Sequence, residues 1–154
     1  MATRDPHRYV FRSEWRLDAP ADAVYAALHD VENYPSWWHQ IRAARWIDDK
    51  SGELTCRSLL PYDLTFVIER DIEDPLDRVL RGKLRGDLTG ESQWTIVESE
   101  DGHTVAVFDE DVTVSKGMIR AAGRIARPAL KFNHGLMMRS GEAGLRKSLD
   151  AVPR

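Results

Sequence analysis

The chain has 154 residues, 42% of them hydrophobic and 31% charged, the balance of one ordinary globular domain that needs neither disulfide nor structural metal. Its 22 basic and 25 acidic side chains leave a formal charge of -3. That argues against a nucleic-acid partner, which calls for a basic excess. The single cysteine, Cys56, can build no disulfide and no thiolate zinc site within one chain. The first residues carry no apolar run of signal-peptide length, and no stretch approaches the ~20 apolar residues of a membrane span. We expect one cytoplasmic domain over 1–154, without integral membrane contact.

From Tyr9 to Asp18, Phe11, Ser13, Trp15 and Leu17 alternate with Arg12, Glu14 and Arg16. That period of two predicts a strand with one buried face. DAPADAVYAALHD follows, with Asp18 as a candidate N-cap, Pro20 in the first turn and an apolar stripe of Ala23, Val24, Ala27 and Leu28. These are helix signals. Pro35 interrupts VENYPSWWHQI, which reads as a short broken helix or turn.

From Ile41 to Ser115 the pattern predicts antiparallel strands: Ile41–Asp49, Leu54–Leu60, Leu64–Ile72, Arg78–Leu84, Gln93–Glu98 and Thr104–Val114. DDKSG, Asp74-Pro75 and Asp101-Gly102 supply turns. Met118 to Leu149 reads as a long helix, kinked or split at Pro128. At 100° per residue Arg120, Arg124, Arg127 and Lys131 share a narrow arc. Met118, Ala122, Ile125, Ala129, Leu136 and Ser140 fall opposite, on the expected inward face. Strands do not alternate with helices after residue 41, so the class is α+β: a curved antiparallel sheet of about seven strands around a long C-terminal helix.

Four pieces carry a resemblance: LDAPADAVYAALHDVENYPSWW at 17–38, LPYDLTF at 60–66, GDLTGESQW at 86–94 and ARPALKFNHGLMMRSGEAGL at 126–145. With the element order, they resemble the START-like helix-grip (SRPBCC) superfamily, and within it the polyketide cyclase/dehydrase and lipid-transport group. The likeness covers about residues 9–149. It implies a ligand cavity between sheet and terminal helix, with a small hydrophobic molecule as partner; no cofactor is expected. Members do different things on this frame, so fold alone does not fix function.

Ala122, Ala126, Ala129, Asn133, Ser140 and Gly144 are small, which means either close helix–sheet contact or space for a ligand. Facing strands carry Phe66, Trp94 and Phe108; apolar walls with few polar groups suit a hydrophobic guest. Trp38, with Tyr34 and Trp37 around Pro35, is either core or cavity mouth. Tyr62, in LPYDLTF, and Met137, on the terminal helix, are further candidate contacts. Asn133 either satisfies buried backbone or touches ligand, while His134 is read as lying nearer the solvent flank.

In Thr104–Val114, Ala106, Phe108, Glu110 and Val112 share one face. If that face is inner, Glu110 is a carboxylate in an apolar cavity and needs a basic partner or a raised pKa. Arg70, on the strand face of Phe66 and Ile68, is the candidate partner, and the pair is the best candidate for polar recognition or acid/base work. Other strand charges are expected on the solvent face, paired across strands. The basic stripe is read as a solvated face, or else as a docking face for an acidic partner such as an acyl-carrier protein or an anionic membrane.

GKLRGDLTG is neither a dinucleotide fingerprint nor a P-loop, because Leu84 follows Lys83 where Ser or Thr is required. It reads as turns and close backbone approach. The five histidines show no metal-ligand spacing, and no G-x-S-x-G nucleophile is present. Three functions remain open: a carrier of a lipid, fatty acyl or aromatic polyketide-like molecule; an aromatase/cyclase closing a poly-β-keto chain; and an assembly factor whose cavity is vestigial.

Overall fold

A computed structural model describes residues 5–57 and 63–150. Seven strands form one antiparallel sheet: β1 Arg8–Leu17, β2 Ile41–Trp46, β3 Ser51–Cys56, β4 Leu64–Asp74, β5 Val79–Gly86, β6 Leu88–Glu98 and β7 Thr104–Val114. Their order is β1-β7-β6-β5-β4-β3-β2. β2 to β7 thus run as a meander, and β1 closes the far side by pairing with β7 from Arg8↔Thr113 to Leu17↔Thr104. Positions 58–60 of the expected third strand, and Tyr62, lie outside the described residues.

The alternation of sequence becomes an alternation of faces. Tyr9, Trp15 and Leu17 are buried on β1, and Ala106, Phe108, Val112 and Val114 on β7. Outer-face charges pair across strands as expected: Arg12 with Asp109 at 3.1 Å and Arg8 with Asp111 at 2.6 Å. Bulges between Ile41 and Ala43 and between Arg70 and Ile72 interrupt the ladder and add local bend. Gly90 has φ +150° and lies so near β7 that an added Cβ would sit 2.0 Å from the Asp111 carbonyl oxygen. The close approach read from GKLRGDLTG is present here.

Between β1 and β2 come α1 (Ala21–His29), a 3-10 turn (Val31–Asn33) and α2 (Tyr34–Trp37). α1 buries Ala21, Val24 and Leu28. Asp18 is not its cap: Pro20 occupies that position without a side-chain hydrogen bond. The Asp18 carboxylate instead contacts His103 at the Asp101-Gly102 hairpin. After β7 come α3 (Gly117–Ala122), a 3-10 turn (Gly123–Ala126) and α4 (Arg127–Asp150).

The terminal helix breaks at Gly123 and not at Pro128. Gly123 has φ 56°, a conformation that glycine adopts without steric cost. Pro128 then falls in the first turn of α4, where a missing N–H costs little. The break resets the helical phase, so the inward face expected from a continuous projection is wrong at its start. Ile125 is 88% exposed and Ala122 and Ala129 are exposed; the side chain of Met118 lies outside the described ones. The buried face of α4 is Leu130, Asn133, Met138, Gly141 and Leu145. The basic stripe divides as well. Arg127 donates to the Pro6 and Arg8 carbonyls and stacks on Tyr9, and Arg120 donates to the Val114 carbonyl. Arg124 and Lys131 stay exposed.

Tryptophan side chains join α2 to the sheet and to α4. Trp15 packs edge-on to Trp37 and Trp38 and lies 4.7 Å from Trp94. Trp38 donates its Nε1–H to the Met137 carbonyl at 2.9 Å. No helix among the described residues is long and apolar enough to cross a membrane.

Candidate ligand cavity

The core is divided. One cluster holds Trp15, Leu28, Trp38, Leu54, Trp94 and Phe108 with their neighbours; the other holds Tyr9, Leu84, Val112, Val114, Ile119 and Leu130. Both contribute to the wall of a cavity of about 180 Å³ between sheet and α4. Its floor is the inner face of β3 to β7, and its roof is α4 at Leu130, Asn133, Met137 and Met138. α1 and α2 close one side with Leu28, Tyr34 and Trp38. Burial pushes the Tyr34 phenol well above its ordinary pKa, and its hydroxyl donates to the Leu28 carbonyl. Cys56 also lines the space, and burial pushes its thiol up to about 12, with nearby Glu110 adding to the effect.

The described candidate residues all stand on this wall. Trp38, Phe66, Trp94 and Phe108 give aromatic surface, with Trp94 and Phe108 at 4.6 Å. Asn133 is buried, and its Nδ2 contacts the Met137 Sδ at 4.0 Å. Trp38 is therefore both core and cavity wall. Of the small helix residues read from the sequence, Gly144 serves close contact, with an added Cβ 1.8 Å from the Trp37 carbonyl oxygen, and Gly141, not singled out there, does the same at 2.6 Å from the Trp38 ring.

The expected Arg70–Glu110 pair does not form. Arg70, Gly82, Ser92 and Glu110 occupy one continuous row of register across β4, β5, β6 and β7. Three strand spacings separate Arg70 from Glu110, about 14 Å of backbone. Sharing a face is not the same as meeting. Arg70 instead stacks over Trp46 at 4.6 Å, donates to the His29 carbonyl, and lies 3.2 Å from Glu73 and 2.7 Å from His29 Nε2. Arg70 and Trp46 also line an open depression outside, with His29, Asp30 and Asp48. They form the partition at one end of the cavity.

At the other end Glu110 faces His134. The Glu110 Oε1 to His134 Nε2 distance is 3.6 Å, and their side chains are 11% and 19% exposed. His134 is not on a solvent flank. Its ring stacks on Phe11 at 3.7 Å, nearly parallel, and lies 6.5 Å from Phe108. Sequence reasoning missed this pairing, and Ser92 and Phe11 with it. The signal was present: counted from Arg127, positions 130, 133, 134, 137, 138, 141 and 145 recur at helical spacing. Among the described residues no cluster of three or more His, Cys, Asp or Glu could hold a metal ion.

The seven-stranded antiparallel sheet, with short helices after its first strand and a long C-terminal helix across it, is a START-like fold. Several solved structures are similar to this chain. The Zhui aromatase/cyclase from Streptomyces sp. R1128 matches with a TM-score of 0.77 and 16% identity, over 94% of each chain. A START superfamily protein from Mycobacterium smegmatis matches with a TM-score of 0.73 and 17% identity, over 92% of this chain and 97% of that one. The di-domain ARO/CYC BexL of the BE-7585A biosynthetic pathway matches at 0.73 and 18%, over 97% of this chain and 52% of its own. The chain belongs to the polyketide cyclase / dehydrase and lipid transport family, whose model matches residues 17–131. No curated protein sequence matches it.

Proposed function

We propose that this protein binds a small hydrophobic molecule in the cavity beneath α4. The observation that carries the reading is the divided core: aromatic and aliphatic side chains that would otherwise interlock surround about 180 Å³ of space. An apolar cavity of about 150 Å³ takes up benzene, so the guest here is one or two rings or a short acyl chain. Burial of its surface at about 25 cal/mol per Å² supplies most of the affinity, and the few polar wall groups orient it. Exposed Arg124, in the turn before α4, and Lys131 on α4 suit delivery from an acidic acyl-carrier protein. The test is mass spectrometry of solvent extracts from gently purified protein. One reproducible apolar molecule near equimolar amount is expected; protein that is consistently empty counts against binding.

The second reading is an aromatase/cyclase. Glu110 beside His134 inside an apolar space is a candidate proton-transfer pair, and two of the similar structures carry that activity in their names. Cyclised product from a poly-β-keto chain, lost in Glu110→Gln with folding intact, is the outcome this reading requires.

A further inference from the structure

The Glu110 end of the cavity is polar in a particular way. Ser92 sits directly opposite Glu110 across β6 and β7, and Phe11 opposite it on β1. Ser92 is 7% exposed, lines the cavity, and makes no side-chain hydrogen bond with any described residue. The Glu110 carboxylate lies within ion-pair range of His134, yet at 3.6 Å it is beyond hydrogen-bond distance. A buried hydroxyl and a nearly buried carboxylate are thus left short of partners. Burial without a partner is costly, and the space both groups face is where a partner would lie.

The chemistry of that partner follows from the donors and acceptors. Carboxylate oxygens accept, so a guest that donates toward Glu110 is matched to it. The Ser92 hydroxyl can donate, so the same guest atom gains by accepting. An ammonium donates but cannot accept. A guest carboxylate would place a second negative charge against Glu110. A hydroxyl does both and is neutral. The neighbouring surfaces are flat: the Phe11–His134 stack on one side, with Phe108 and Trp94 beyond it. Resting on the binding reading above, we infer that Glu110 and Ser92, beside the Phe11–His134 stack, form a hydroxyl-recognition site, and that the guest is a phenolic aromatic of one or two rings. Its ring lies among Phe108, Trp94 and Met137, and its hydroxyl bridges Glu110 and Ser92.

The test uses naphthalene, 1-naphthol and 1-naphthoate as probes, titrated by calorimetry into the full chain and into Glu110→Leu and Ser92→Ala. Circular dichroism checks that each variant is folded. A hydrogen-bonding site discriminates against an analogue lacking the group, so 1-naphthol should bind the unsubstituted protein tenfold or more tighter than naphthalene. 1-Naphthoate should bind more weakly than 1-naphthol. The naphthol-to-naphthalene ratio should fall below about threefold in Glu110→Leu and to an intermediate value in Ser92→Ala. Equal binding of naphthalene and 1-naphthol, a ratio unchanged in Glu110→Leu, or tighter 1-naphthoate would overturn the hydroxyl site and leave the cavity reading standing. Failure of all three probes to bind would overturn the hydroxyl site, and the cavity reading falls with it if solvent extracts of the gently purified protein are also empty.

Discussion

Three glycines on α4 should respond in opposite ways to one added methyl group, because only two of them touch another element. Gly135 has nothing within 4 Å of the position a Cβ would take. Gly135→Ala therefore shows mainly the helix preference of alanine, and should stabilise by about 1 kcal/mol. Gly144 is the opposite case. Its Cβ would sit 1.8 Å from the Trp37 carbonyl oxygen, about 1.5 Å inside ordinary contact. The obstacle is backbone, so α2 or α4 must move as a whole. Overpacking of this kind costs about 1–3 kcal/mol or more and exceeds the preference gained. Gly144→Ala should therefore destabilise by about 2 kcal/mol. Gly141→Ala meets the Trp38 and Trp15 rings at 2.6 and 2.7 Å and should also destabilise. Urea titration with a constant m-value reads these differences, and each kcal/mol should move Tm by about 2–4 °C in a chain of this size. If Gly144→Ala proves as stable as Gly135→Ala, α4 does not rest on α2 as described, and the roof of the cavity is misplaced.

Other consequences follow from single contacts. Trp38→Phe removes the Nε1–H donor to the Met137 carbonyl and should cost about 1 kcal/mol in chemical denaturation. Cys56 is buried, and its folded-state pKa is raised to about 12. The native thiol should stay unreactive toward a maleimide at pH 8 and react once the chain is unfolded. The raised value also means that its contribution to stability is present below about pH 8.5 and fades as pH rises further. Glu73 is shifted the other way, held below the ordinary carboxylate range by its hydrogen bond to His29, with Arg70 assisting. Its stabilisation is present above the unfolded carboxylate pKa and lost as pH falls through the lower folded value. Glu73→Gln should therefore flatten the acid limb of stability against pH, and a limb of unchanged slope would contradict the contact.

The strands were legible because burial on one face of a sheet leaves a period of two, as Trp15 and Leu17 on β1 and Phe108 and Val112 on β7 illustrate. The terminal helix was legible as an element but not in its phase. A projection assumes a continuous helix, and Gly123 breaks it; Pro128, the more conspicuous signal, sits harmlessly in a first turn. The candidate site was legible by face and not by distance. Arg70 and Glu110 do share the inner face, yet register across three strands separates them, and register depends on pairings that no single strand records. His134 was hidden for the same reason as the helix face. Ser92 gave a quieter signal: it lies two positions before Trp94 and so shares its face.

A crystal structure of the protein grown with naphthalene bears most directly on whether the interior receives a guest. Ring density should lie between the Trp94–Phe108 floor and Met137 on α4. Crystals in which the probe sits only on the outer surface, with those side chains closed on one another, would mean that this fold holds no ligand where we place it.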